Sequence, residues 1–168
     1  MGVYGVHPFV LLNYINSSRD VSTIAHELGH AMHSYYANHS QNIINANYTI
    51  MVAEVASTVN ETILADYLIN KETDKKKKAA LINEQLDDIR ATLVRQTMFA
   101  EFEKIVHERI EKGESLSSNE LNNIYFDLVK KYFGEDCVFD EDIKYEWARI
   151  PHFYSCFYVY KYATGITA

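Results

Sequence analysis

Thr23-Ile24-Ala25-His26-Glu27-Leu28-Gly29-His30-Ala31-Met32-His33-Ser34-Tyr35-Tyr36 is the stretch from which the rest of the chain can be read. Its centre, His26-Glu27-Leu28-Gly29-His30, is an HExxH pattern. On a helix, residues i and i+4 stand one turn apart on the same face, so two imidazoles can hold one metal ion. Glu27, next along the turn, can reach a water on that ion. The competing reading is an amphipathic helix whose two histidines are simply packed and hydrogen-bonded. His33 lies about 60° round the helix from His30, which makes it a packing residue or a partner to a ligand rather than a ligand.

Outward from this centre, the helix is expected to start at Asp20 or Ser22, good capping residues after the polar Asn16-Ser17-Ser18 turn. It should run to about Ala37, before the polar residues 38–47. In residues 48–70, Val52, Val55, Ala56, Val59, Ile63, Leu64 and Tyr67 recur at spacings of three and four, a second helix. A catalytic zinc needs three protein ligands and an open fourth position. The second helix offers Glu54, within an otherwise apolar face where an uncompensated carboxylate would be costly. A third histidine six residues beyond His30 would be the alternative, but that position is Tyr36, and the glycine expected three beyond His30 is His33. Glu61, one heptad after Glu54, either hydrogen-bonds a ligand histidine or is an ordinary helix-surface carboxylate.

Two prolines (Pro8, Pro151) and six glycines in 168 residues leave few places where a helix must stop. The charged residues 74–78 open a stretch without Gly or Pro up to Gly113. Its apolar marks include Leu81, Leu86, Ile89, Leu93, Met98, Phe102, Ile105 and Ile110, a third helix of up to about 38 residues with room for a bend. The lysine run is read as a solvated helix start. Ser117 with Glu120 three residues later is a capping box for a fourth helix ending near Gly134. An acidic loop, 135–142, leads to a helical turn around Trp147, and Pro151 restarts the chain for a final aromatic helix over 152–163. The expected fold is all-α, five or six helices without a substantial sheet, the HExxH helix packed on the Glu54 helix and the aromatic tail closing over both.

With 48% apolar side chains the chain can bury one sizeable core, the size of a single domain or part of one. Sixteen Lys and Arg against 23 Asp and Glu give a net charge of −7, which lacks the positive footprint that nucleic acid or an anionic membrane surface demands. No apolar run approaches the ~20 residues of a membrane span, and residues 1–8 lack the pattern of a secretion signal. Cys137 and Cys156 form no CxxC, which argues against a disulfide scaffold or thiolate cluster and for a reducing, cytoplasmic compartment. Cys156 is expected to be a packed small residue rather than a nucleophile. Residues 149–162 hold His152 and four tyrosines. Such a stripe is either core or a set of phenols that hydrogen-bond a developing oxyanion beside a metal, and composition leaves both readings open.

Four stretches in order carry a resemblance: residues 23–36, Ala53-Glu54-Val55-Ala56-Ser57-Thr58-Val59-Asn60-Glu61, Arg95-Gln96-Thr97-Met98-Phe99-Ala100-Glu101-Phe102-Glu103, and residues 149–165. Together they resemble oligoendopeptidase F, a relative of thimet oligopeptidase. The resemblance implies a zincin-like, mostly helical metallopeptidase that cleaves internal bonds of short peptides in a closed channel. One zinc ion would be held by His26, His30 and Glu54, with Glu27 as the base. His152 and tyrosines of the tail would stabilise the tetrahedral intermediate, with Tyr160 the best match, then Tyr154, then Tyr158. Members of the family are several times longer, so residues 1–168 are expected to be one catalytic region of a larger helical enzyme. Apolar and tyrosine-rich surface would then be free for self-association, and the chain alone would bind zinc weakly and turn over little. The alternatives are a catalytically inactive or truncated helical domain, and a metal-dependent hydrolase of non-peptide substrates.

Overall fold

The computed structural model describes residues 2–134 and 136–167, and these contain helices and turns with no strand among them. They fall into two units, residues up to 89 together with 164–167, and residues 90–163.

The first unit is built on two helices, α1 (Ser18–Ser40) and α2 (Ile50–Lys71), which pack along each other. The residue capping α1 is Ser17, not Asp20 or Ser22. The Ser17 hydroxyl accepts the Asp20 N–H, and the Asp20 carboxylate accepts the Ser17 N–H at 2.7 Å. The expected cap is therefore the third helical residue of a reciprocal capping box. Asn60 of α2 donates from Nδ2 to the Ala25 carbonyl of α1 at 2.6 Å, pinning the two helices one residue before His26. His33 is a packing residue: its ring stacks on Tyr48 with centroids 3.8 Å apart, beside a 2.6 Å hydrogen bond between Ser34 Oγ and the Tyr48 hydroxyl. α3 (Lys75–Ile89) packs against α2, its first turn capped by the Asp74 carboxylate, which accepts the Lys76 and Lys77 N–H groups.

A π-helical turn, Arg90–Val94, stands between α3 and α4 (Arg95–Glu111), so the expected long third helix is two α-helices joined by one widened turn. In the second unit α4 and α5 (Ser118–Phe133) enclose a core of Met98, Phe99, Phe102, Tyr125, Leu128, Val129, Ile150 and Val159. α5 begins at the expected Ser117–Glu120 capping box and ends at Gly134, whose φ of 82° a side chain would disfavour. Of the expected acidic loop, Glu135 lies outside the described residues. The turn around Trp147 is a 3₁₀ segment, Glu141–Arg149.

The tail differs from the expected helix over 152–163. Pro151–Tyr154 is a 3₁₀ turn, Ser155 is extended, Phe157 has φ +57°, and α6 begins only at Tyr160 and runs to Thr167. The reason lies in packing: Phe153 and Val159 both contribute to the core. Positions six apart on an α-helix point about 120° away from each other, and the break between them brings both to the same core. Among the described residues no helix is long and apolar enough to cross a membrane.

Candidate metal centre and active site

The i,i+4 spacing on α1 brings His26 and His30 side by side, Nε2 to Nε2 3.1 Å, and both face Glu54 of α2. Glu54 Oε2 lies 3.7 Å from His26 Nε2 and 4.0 Å from His30 Nε2. One ligand atom from each of the three residues falls within 4.8 Å of the others.

Small residues make this convergence possible. A methyl group built on Gly29 would sit 2.7 Å from the Ala56 carbonyl oxygen, so α1 approaches the Glu54 helix backbone to backbone. Behind Glu54 lies Gly165 of α6, where a Cβ would be 3.2 Å from the Glu54 Cβ. Glu54 is only 4% exposed. The fully buried Ser57 hydroxyl, one turn on, stands within hydrogen-bonding distance of both Glu54 Oε2 (3.1 Å) and the Glu54 carbonyl (3.0 Å). On the far side of the His26 ring, Nδ1 faces Glu61 Oε2 at 3.4 Å, and Ser22 Oγ donates to Glu61 Oε1 at 3.3 Å. Of the two readings of Glu61, its position beside Nδ1 matches the one in which it partners His26 rather than that of an ordinary surface carboxylate.

The electrostatics of the two rings are opposed. The hydrogen bond with Glu61 raises the His26 pKa above its ordinary value against burial, with Glu54 and Glu27 adding to the rise. Burial lowers that of His30, and the neighbouring His26 lowers it further. The half-buried Glu27 follows His26 in the chain and acts electrostatically on both rings. Two imidazole nitrogens and a buried carboxylate oxygen form an N,N,O donor set of the kind that suits a catalytic zinc with an open position. A carboxylate this deeply buried, with the Ser57 hydroxyl and the two imidazoles as its neighbours among the described residues, is otherwise expensive.

The other expected site residues belong to the second unit. There His152 stacks on Tyr158 with centroids 5.4 Å apart, and its Nε2 lies 3.5 Å from the Tyr162 hydroxyl. Tyr154 is 80% exposed and donates to the Ala148 carbonyl at 3.4 Å, and Tyr160 opens α6 with its ring partly exposed. Within this unit His152 is thus grouped with Tyr158 and Tyr162 rather than with Tyr154. Cys156 is exposed, which corrects the expectation of a packed residue; the turn that breaks the tail helix turns it outward. Sequence reasoning missed Ser57 and Asn60, although a small polar residue one turn after a buried carboxylate is a usable signal.

Residues 3–168 match the model of Peptidase family M3. The chain belongs to that family. It is 48% identical over 167 residues to oligopeptidase PepF of Bacillus subtilis and 51% identical over 168 residues to an oligoendopeptidase F homolog of Borreliella burgdorferi. Each match covers 99% of this chain, but only 25% and 28% of the respective relative. The crystal structure of oligoendopeptidase-F from Enterococcus faecium is 43% identical, with a TM-score of 0.73 over 89% of this chain and 26% of that one. A crystal structure from Chlamydophila abortus is 46% identical, with a TM-score of 0.86 over 100% of this chain and 28% of that one. The chain therefore spans about a quarter of the length of the relatives it matches. The resemblance carried by the four motifs and the all-helical fold are both borne out.

Proposed function

We propose that this chain is the catalytic region of a zinc-dependent, cytoplasmic peptidase that hydrolyses internal bonds of short oligopeptides. The observation that carries the reading is the convergence of His26, His30 and Glu54 in a chain of peptidase family M3. These three residues would hold the ion, which when bound supplies Lewis acidity and a more acidic water.

The remaining chemistry falls to side chains. Glu27 is the general base: it takes a proton from the attacking water and passes it to the leaving amine as the C–N bond breaks. Glu61 keeps a proton on Nδ1 of His26, so that Nε2 retains its lone pair for the ion, and Ser57 fixes the Glu54 carboxylate. His152 and Tyr160, with Tyr154, donate hydrogen bonds to the oxyanion. Charge builds on that oxygen only in the transition state, so losing these donors lowers turnover more than binding.

The test is Glu27→Gln in the full-length protein, with metal analysis and a quenched-peptide assay run with and without chelator. The expected result is stoichiometric zinc in both proteins and hydrolysis in the wild type alone. A wild-type protein without zinc would favour a domain whose histidines are merely packed. Zinc with no cleavage of any peptide would favour a hydrolase of other substrates.

A further inference from the structure

The segment from Arg95 to Glu103 ends in a buried carboxylate. Glu103, on α4, is 6% exposed. Its Oε1 accepts the N–H of Phe157 at 2.5 Å. One turn further along α4, the His107 ring lies against the Phe157 ring with centroids 4.8 Å apart. Two side chains at i and i+4 on one helix face thus grip a single residue, one by its backbone and the other by its ring.

The residue they grip is strained. Phe157 has φ +57°, a left-handed conformation that L-residues other than glycine adopt at a cost. It is 50% exposed, so burial of its ring does not impose that conformation. The two sides of the turn are anchored in the core. Phe153 packs on Phe99 and Phe102 with centroids 5.5 and 5.2 Å apart, and Val159 is fully buried. Between and beside these anchors stand His152, Tyr154, Tyr158 and Tyr160. A main-chain amide in an exposed turn could be satisfied by water, whereas a buried carboxylate carries a desolvation cost. Fixing the turn is what that cost secures.

We propose that Glu103 is a positioning residue: through the Phe157 amide it holds the turn over residues 155–159 and so fixes the places of the tyrosine hydroxyls on either side. The catalytic part rests on the peptidase reading above, in which those phenols stabilise the oxyanion, while the holding of the turn does not.

The experiment compares Glu103→Gln, which keeps an acceptor oxygen, with Glu103→Leu, which removes it, in the full-length protein. Hydrogen exchange over residues 155–159 should be slow in the wild type and in Glu103→Gln, and fast in Glu103→Leu. Glu103→Leu should lower kcat by about tenfold or more, since small misplacements of catalytic groups have large effects, with KM and zinc content little changed; Glu103→Gln should restore most of the rate. In case Glu103→Leu does not fold, a second pair acts on the exposed turn. Phe157→Pro, which has no N–H and cannot take a positive φ, should reproduce the loss, and Phe157→Gly, which takes that φ freely, should not. Unchanged exchange in Glu103→Leu, equal losses in the Gln and Leu variants, or a wild-type kcat in Phe157→Pro would overturn the proposal. A wild-type protein that cleaves no peptide would refute the peptidase reading and the phenols' role, while exchange would still decide whether Glu103 holds the turn.

Discussion

Gly29 and Ser57 meet backbone to backbone: a Cβ on Gly29 would stand 2.8 Å from the Ser57 Cα, with the Ala56 carbonyl oxygen closer still. Gly29→Ala gains about 0.5–1 kcal/mol of helix preference. Against this stands the overpacking of two backbones with no flexible side chain to yield, typically about 1–3 kcal/mol. The clash wins, and it falls between His30 on one helix and Glu54 on the other. Gly29→Ala should therefore melt lower and bind zinc more weakly, as measured by thermal denaturation and zinc titration. Unchanged values for both would show that the close approach is not what holds His26, His30 and Glu54 together.

Glu54→Gln keeps the shape of the side chain and removes its charge. Among the described residues, the buried carboxylate without metal has the Ser57 hydroxyl and the two imidazoles beside it, so at alkaline pH, where both rings are neutral, removing its charge should leave the zinc-free melting temperature unchanged or higher. A ligand that binds only the folded state stabilises it by about 2.7 kcal/mol at a hundredfold excess over Kd. Zinc should raise the melting temperature of the wild type and scarcely move that of Glu54→Gln. An undiminished zinc shift in the variant would remove Glu54 from the ligand set.

What could be read in the sequence was what is encoded locally. The i,i+4 histidines, the apolar period around Glu54 and the Ser117–Glu120 capping box each need only a few neighbouring residues, and each stands where it was expected. The cap of α1 was displaced because Ser17 and Asp20 are both good capping residues. Which one caps depends on the turn before them, where Asn16 takes φ +66°. The π-turn over Arg-Ala-Thr-Leu-Val contains no glycine or proline to announce it. The tail departs from the expected helix for a tertiary reason, since its break brings both Phe153 and Val159 to the core. Asn60 likewise acquires its role only from a carbonyl on another helix.

The capping box at the start of α1 gives the helix that carries His26 and His30 an acid-sensitive end. Hydrogen bonding, first from the Ser17 N–H, holds the Asp20 carboxyl below its ordinary pKa of 3.8. A carboxylate with a depressed folded-state pKa contributes stability above its unfolded pKa and loses it as pH falls through the folded one. Ser17→Ala should cost about 1 kcal/mol at neutral pH. Asp20→Asn should make stability less dependent on pH below about 4, where the Asp20 contribution titrates away. Urea midpoints measured from neutral pH down to about pH 3 test both; parallel acid limbs for the wild type and Asp20→Asn would contradict the assignment.

In the second unit the fully buried Tyr125 donates its hydroxyl to Glu146 Oε2 at 2.6 Å, while Glu146 Oε1 takes Arg95 and Arg149. Burial first, and then this hydrogen bond, push the Tyr125 hydroxyl far above its ordinary pKa of 10.0. Tyr125→Phe removes a hydrogen bond to a charged group, typically worth about 1.5–3 kcal/mol, and the two arginines that remain on Glu146 place the loss toward the lower end. The pH dependence follows from the raised value. Below about pH 10 the phenol is protonated in both states and its contribution is fully present. Above that pH the unfolded chain loses the proton while the folded chain keeps it, so the contribution fades as pH rises. The stability gap between wild type and Tyr125→Phe should therefore be widest near neutrality and shrink from about pH 10 upward, read from urea midpoints. A gap that stays constant across that range would mean that Tyr125 does not keep its proton at Glu146.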